Sequence, residues 1–222
     1  GDNAPIMSIK QQISNIKNEI LDKADLIAVS KNRSIQEIKE AYNYGQLKFG
    51  ENRVQEIVNK QSKLPNDIEW HMIGHLQKNK VKYIARFINL IHSLDRISLA
   101  KEIDKQAKKE ERIINCLIQI KISKEDSKFG LKIEDFRHFY KSLGTYENIN
   151  IIGLMGMATF TNDIELIDEE FKMIKRIYDE MASIDPKFKV LSIGMSDDYN
   201  IALKNGSNMI RIGSKIFGKR NY

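Results

Sequence analysis

The chain has 222 residues, with 36 Lys and Arg against 30 Asp and Glu, a formal net charge of +6. Hydrophobic residues make up 41% and charged residues 30%, which excludes a mostly disordered chain. The longest apolar run, residues 151–158, is far shorter than the roughly 20 residues that cross a bilayer, so we expect no membrane partner. Lysines are mixed with glutamates throughout, which is typical of a solvated surface, so we expect no nucleic-acid partner.

The start of the chain and its cysteine content indicate a cytoplasmic protein. Met7 has the features of a natural start, so we expect residues 1–6 to be an added leader and residues 7–222 to form one domain. No basic stretch precedes an apolar run of roughly 7–15 residues, the pattern of a secretory signal. The single cysteine, Cys116, cannot form an intrachain disulfide and lies in a strand-like run, so we expect an inert buried thiol.

A short apolar run followed by an amphipathic helix recurs along the chain. An opening helix has isoleucines at helical spacing from Ile9 to Ile20, and Ser34 with Glu37 predicts a capping box for the next helix. The predicted strands are residues 26–30, 47–50, 68–73, 90–93, 112–122, 149–155, 189–193 and 209–212. The later helices are predicted around residues 54–58 and over 79–87, 97–110, 133–143, 164–181 and 198–204.

These units predict an α/β fold, a single (β/α)₈ TIM barrel with an extra N-terminal helix. Eight strand–helix units of roughly 28 residues each are tight but sufficient for such a barrel. A doubly wound open sheet is the alternative. It would normally show a glycine-rich turn after the first strand, and residues 30–34 contain no glycine.

Polar residues follow several predicted strands, where a parallel barrel places its functional groups. Lys31 comes directly after the first strand, and an amine there is a candidate nucleophile able to form a Schiff base. Ser196 follows the seventh strand and is a candidate N-cap of the next helix, while Gly213 and Ser214 follow the eighth strand. The loops after the last two strands are the usual phosphate-binding corner of the fold, so we predict a phosphate site there.

The histidines give a weaker signal. His71 and His75 are four residues apart, the spacing of two metal ligands on a helix. Here they fall on a strand end and a turn and not on a helix, so we predict no metal. His92 has no neighbours that distinguish it.

Seven motifs carry a resemblance that covers nearly the whole chain from Met7. In order they are AVSK (28–31), FGEN (49–52), WHMIGHLQKNK (70–80), HSLD (92–95), GLM (153–155), GMS (194–196) and RIGSKIFG (211–218). Together they resemble the YggS/PROSC family of pyridoxal-phosphate-binding proteins, also called pyridoxal phosphate homeostasis proteins. The resemblance implies the fold of the alanine racemase N-terminal barrel domain.

The resemblance also implies a role for each candidate residue toward pyridoxal 5'-phosphate (PLP). Lys31 would carry the cofactor covalently as an internal aldimine, with Arg211 facing the pyridine nitrogen and Asn52 near the ring. Ser196, Gly213 and Ser214 would hold the phosphate, although the family usually has threonine at the position of Ser214. Two further positions fall in motifs like those of the family: Asp198, with a capping role, and Lys128, a secondary amine for the cofactor.

We expect a non-catalytic PLP-binding protein that serves vitamin B6 homeostasis, with apo PLP-dependent enzymes as recipients of the cofactor. Racemases of this barrel type draw a catalytic tyrosine from a second, β-rich domain, and we expect no such domain in this chain. An arginine at the pyridine nitrogen also weakens the ring as an electron sink. Two alternatives stay open: a weak single-domain amino-acid racemase, and a phosphate-binding barrel enzyme without PLP.

Overall fold

The computed structural model of the chain describes residues 7–219, so the leader expected at residues 1–6 lies outside it. Within this range, eight parallel strands pair in sequence order and β8 pairs with β1, which closes the sheet into a barrel. The predicted (β/α)₈ barrel is therefore confirmed. The strands are β1 (Asp25–Val29), β2 (Lys48–Glu51), β3 (Glu69–Met72), β4 (Leu90–Leu94), β5 (Ile114–Gln119), β6 (Ile149–Met155), β7 (Val190–Ser192) and β8 (Met209–Ile212).

Helices surround the barrel, and none of those between residues 7 and 219 is both long and apolar enough to cross a membrane. The predicted capping box is present: the Ser34 hydroxyl accepts from the Glu37 N–H, and the Glu37 carboxylate accepts from the Ser34 N–H. The α-helices are α1 (Ile9–Ile20), α2 (Ile35–Asn43), α3 (Val54–Lys63), α4 (Ile97–Lys109), α5 (Phe136–Ser142), α6 (Ile164–Ile184), α7 (Tyr199–Lys204) and α8 (Ser214–Phe217).

The extra N-terminal helix is confirmed as α1, which packs against α2 and α8. Its buried face is the predicted isoleucine stripe, and burial of each such side chain contributes roughly 1.5–3 kcal/mol. Ser8 caps the helix by accepting from the Gln11 N–H, and Leu21 ends it in the left-handed conformation with φ 45°. α1 thus covers the part of the barrel where the first and last strands meet.

Three predicted elements differ from the structure. The helix predicted over residues 79–87 is a 3-10 helix, Lys78–Tyr83, and the Arg112 guanidinium holds the following turns by donating to Ala85 O and Ile88 O. The strand predicted to begin at residue 112 begins only at Ile114, because Arg112 faces this segment instead of joining the sheet. The helix predicted over 133–143 is divided into two short 3-10 turns with α5 between them.

The barrel has two apolar layers. A small interior cluster joins side chains from six strands, including Ile27, Leu90 and Leu117, and a much larger cluster fills the space between the strands and the helices. Trp70 and the Cys116 thiol are buried in this outer layer, and burial raises the pKa of the Cys116 thiol. Four strands also carry buried polar side chains: His71 on β3, His92 on β4, Ser192 on β7 and Arg211 on β8.

Candidate functional site

Lys31 lies in the turn after β1, at the carboxyl edge of the barrel. The Ser30 N–H donates to Gly50 O at the end of β2, and the Arg33 N–H donates back to Ser30 O at 2.9 Å, which closes the turn. Asn32 has φ 61°, in the left-handed region that asparagine tolerates better than most residues. The Lys31 side chain is half-buried, and within the described residues its amine makes no hydrogen bond or ion pair. The amine is therefore free to react.

Asn52 directly follows β2 and is half-buried at the same edge. The loop after β3 packs closely on it: a Cβ atom at Gly74 would lie 2.7 Å from Asn52 O. Only glycine at position 74 allows this approach, so the GHL part of the third motif serves to bring the loop after β3 against Asn52.

The predicted phosphate corner forms from the loops after β7 and β8. Gly213 lies against the end of β1, since a Cβ atom there would be 3.3 Å from Val29 Cβ and 3.4 Å from Val29 O. Ser214 is the first residue of α8 and is exposed, and Ser196 is half-buried in the loop after β7. The loop after β8 therefore lies beside Val29, the residue two positions before Lys31.

The prediction that Ser196 caps the next helix is wrong. Helix α7 begins at Tyr199 and its N-cap position is Asp198, so Ser196 is two residues too early to be the cap. The Asp198 carboxylate does not cap the helix either: it accepts from the Met195 N–H at 2.7 Å and so closes the turn that contains Ser196. Burial raises the pKa of this carboxyl group. The Ser196 hydroxyl has no hydrogen-bond partner among residues 7–219.

Arg211 is buried on β8 and is held from two directions. Its guanidinium donates to Ser192 O at 2.8 Å, to the Ser192 hydroxyl, and to Gly156 O at 3.1 Å. These bonds use three of its five N–H donors. Burial lowers the pKa of Arg211 to about 10, with the Asp198 carboxylate opposing the shift, so the side chain is a cation at neutral pH.

Two buried histidines extend this arrangement across the barrel interior. His92 Nδ1 lies 3.0 Å from Ser192 Oγ, and His92 Nε2 lies 2.9 Å from His71 Nδ1. Arg211 can only donate to Ser192 Oγ, so the Ser192 hydroxyl proton is directed to His92 Nδ1. His92 therefore carries its proton on Nε2 and donates to His71 Nδ1, which places the His71 proton on Nε2. We call Arg211, Ser192, His92 and His71 the polar chain.

Both histidines of the polar chain are neutral at physiological pH. Burial lowers the pKa of His71 to about 3, and burial, His71 and Arg211 together lower the pKa of His92 far below its ordinary value. Within the described chain His71 Nε2 has no partner, although it is buried. Nothing in the local sequence pattern singled out His92. The signal that could have found it is a polar residue at an inward-facing position of a strand in an otherwise apolar barrel.

The polar chain predicts a large difference in stability between variants of two buried serines, Ser192 on β7 and Ser93 on β4. Ser192→Ala removes an acceptor of Arg211 and the donor to His92, so we expect it to lower the free energy of unfolding by about 1–3 kcal/mol. Ser93→Ala is the matched control, because the buried Ser93 hydroxyl has no partner within residues 7–219. Urea denaturation should show no loss of stability for the Ser93 variant. Equal losses in both would contradict the hydrogen bonds that the Ser192 hydroxyl makes to Arg211 and His92.

Lys128 lies in the loop after β5 and is exposed. The loop is anchored directly after Lys128: Phe129 stacks on His75 with ring centroids 4.0 Å apart, and the Gly130 N–H donates to Asp95 Oδ2 at 2.9 Å. His75 therefore packs against the loop after β5. A role for Lys128 as a second amine stays a prediction.

Comparison with known proteins agrees with this geometry. The sequence matches the family described as alanine racemase, N-terminal domain, over residues 6–221. A pyridoxal phosphate homeostasis protein of Aquifex aeolicus is 37% identical over 90% of this chain and 88% of its own length.

Two solved structures are similar to the barrel. PipY of Synechococcus elongatus with PLP bound is 32% identical, with a TM-score of 0.86 over 95% of this chain and all of that one. An alanine racemase from Bartonella henselae has the same fold at 14% identity, with a TM-score of 0.71 over 97% of this chain and 62% of that one. By its sequence and its barrel, the chain belongs to the family of pyridoxal phosphate homeostasis proteins.

Proposed function

We propose that the protein binds PLP covalently on Lys31 and takes part in intracellular PLP homeostasis as a carrier, without efficient catalysis. The observation that carries the proposal is the contact of Gly213 with Val29, which brings the loop after β8 beside the Lys31 turn. An unpartnered amine and the Ser214 hydroxyl thereby share one edge of the barrel. The relatives named for PLP homeostasis, and PipY solved with PLP bound, support the assignment.

The residues at this edge fit the chemical groups of PLP. The Lys31 amine can attack the aldehyde carbon, and as the C=N bond of a Schiff base forms, the aldehyde oxygen leaves as water. Ser196 and Ser214 offer hydroxyl donors to the phosphate dianion, and Gly213 lets the backbone approach it closely. Asn52, at the end of β2, is the polar neighbour that we assign to the ring.

Arg211 supports a carrier more than an enzyme. PLP supplies an electron sink for amino-acid chemistry, and that sink is strongest when the pyridine nitrogen is protonated. Arg211 is buried and cationic at neutral pH, and the bonds to Ser192 and Gly156 hold it in place. A fixed cation facing the ring nitrogen opposes its protonation. The proposal therefore assigns no catalytic residue to this chain.

The proposal extends to the partners and the location of the protein. A Schiff base at a half-exposed lysine can exchange with the lysine of another protein, so we infer that apo PLP-dependent enzymes are recipients. We place the protein in the cytoplasm, with no metal and no nucleic acid in its function. Its single cysteine, buried and unreactive, is compatible with a reducing compartment.

The experiment that tests the carrier function separates it from the racemase alternative. Protein loaded with PLP should racemise alanine and other common amino acids no faster than free PLP does, within about tenfold, because Arg211 weakens the electron sink. Mixed with an apo PLP-dependent enzyme, the same sample should restore that enzyme's activity. Turnover of an amino acid at about 1 s⁻¹ or faster, an ordinary enzyme rate, would replace the carrier with a racemase.

A further inference from the structure

A buried charged cluster lies against the Lys31 turn, and the proposed function does not use it. Lys60, on α3, is only 4% exposed, and its ammonium donates to Glu51 Oε2 at 2.8 Å and to Glu56 Oε2 at 2.6 Å. Its third bond goes to the backbone, to Ser30 O at 2.6 Å. These three acceptors match the three donors of a lysine side chain, so the Lys60 amine is fully engaged and is not a candidate nucleophile.

The cluster holds the backbone on both sides of Lys31. On one side, Ser30 is held twice: its carbonyl accepts from Lys60, and its hydroxyl donates to Glu51. On the other side, the Asn32 N–H donates to Glu56 Oε2 at 2.6 Å. This last bond also holds Asn32 in its left-handed conformation. Between the two fixed residues, only the Lys31 side chain is left without a partner in the described structure.

Stability alone does not account for a charged cluster at this place. Removing two carboxylates and an ammonium from water is costly, and apolar side chains of similar volume usually stabilise a core at least as well. Burial raises the pKa of Glu51 to about 7, and Glu51 Oε1 has no partner within the described residues. What an apolar replacement could not supply is directed hydrogen bonds to Ser30 and Asn32.

We propose that Glu51, Glu56 and Lys60 are positioning residues that fix the turn so that the Lys31 amine meets the aldehyde of PLP. The inference rests on the proposed attachment at Lys31 and adds to it the device that orients the amine. A reacting group that is held in line reacts faster than one that must first be ordered, and small displacements are costly. The cluster should therefore act on formation of the Schiff base and leave the other contacts of PLP unchanged.

The test uses Glu56, because its side chain is 20% exposed and its removal leaves Lys60 paired with Glu51. Glu56→Ala should slow formation of the Schiff base with PLP by at least about tenfold. Stopped-flow absorbance measures this rate. Pyridoxamine 5'-phosphate, whose amine replaces the aldehyde, should bind the variant as tightly as the parent, within about twofold. Gln55→Ala, an exposed neighbour on α3, is the matched control and should change neither quantity.

Each result decides the inference. An unchanged rate in Glu56→Ala would overturn it, and so would an equal loss of affinity for PLP and pyridoxamine 5'-phosphate, which would indicate a general structural role. Glu56→Gln keeps an oxygen acceptor for the Asn32 N–H and should restore the rate to within about threefold of the parent. If Glu56→Gln formed the Schiff base as slowly as Glu56→Ala, that result would also overturn the inference. Schiff-base formation in Lys31→Ala would instead refute the attachment site.

Discussion

Replacing Lys31 with alanine is expected to abolish the Schiff-base absorbance of PLP-loaded protein while leaving the barrel folded. The amine is the only part of the proposed site that can form a covalent bond with the aldehyde carbon. The fold should survive, because the side chain is half-buried and makes no hydrogen bond or ion pair in the described structure. Substitutions of this kind usually change stability by less than about 0.5 kcal/mol.

Absorbance titration with PLP, followed by borohydride reduction and peptide mapping, measures the effect directly. In the parent the reduced label should lie on the peptide that contains Lys31. Lys128→Ala is the control, because Lys128 is exposed in the loop after β5, and this variant should keep the full absorbance. If Lys31→Ala kept the absorbance, another lysine would hold the cofactor, and Lys128 would be the first to examine.

The second large effect is a loss of folding stability at acidic pH. The pKa of His71 is about 3 in the folded protein against 6.5 ordinarily, so below about pH 6.5 the unfolded chain binds a proton that the native state does not. His92 behaves in the same way. Each histidine therefore contributes a loss of stability of about 1.4 kcal/mol per pH unit as the pH falls below 6.5.

Glu51 acts in the opposite direction. Burial raises its pKa to about 7 from 4.5, so between these values the native state binds a proton that the unfolded chain does not. Its contribution to stability is present below pH 4.5 and is lost as the pH rises through about 7. Between pH 4.5 and 6.5 it offsets one of the two histidines, and these three groups together leave a net loss of about 1.4 kcal/mol per unit of acidification.

Two variants separate these contributions. His71→Asn keeps an acceptor for the His92 Nε2–H but does not titrate. Between about pH 6.5 and about pH 5, the free energy of unfolding of this variant should therefore fall by about 2 kcal/mol less than that of the parent. Glu51→Gln should fall more than the parent, by a similar amount. Urea denaturation at both pH values measures the two differences. Parallel pH profiles for all three proteins would show that these groups are not buried as described.

The architecture could be predicted from the sequence because it depends on local patterns. The residues that form each apolar run, the isoleucine stripe of α1 or the Ser34 capping box are close together in the sequence. Each of these features is present in the structure. The same holds for the placement of Lys31 and Ser214 after their strands. Their roles toward PLP stay predictions, since they came from the resemblance to a family.

The parts that sequence reasoning missed depend on contacts between distant segments. His92 and Ser192 meet only because the closed barrel sets β4 and β7 around one interior. Lys60 and Glu56 read as an ordinary pair of charges one turn apart on a helix surface, and nothing local shows that α3 buries them under the Lys31 turn. The error at Ser196 has a smaller cause: helix boundaries are uncertain by a residue or two, which is enough to misplace a cap.

The pairing of β1 with β8 has a consequence for how the protein is made. Lys31 leaves the ribosome well before Ser214, which lies much further along the chain. Until β8 docks beside β1, a growing chain has the amine without the phosphate corner. On the proposed function, we therefore expect tight capture of PLP only after β8 has been synthesised and has docked, so that a nascent chain does not withdraw the cofactor from the cell before its barrel has closed.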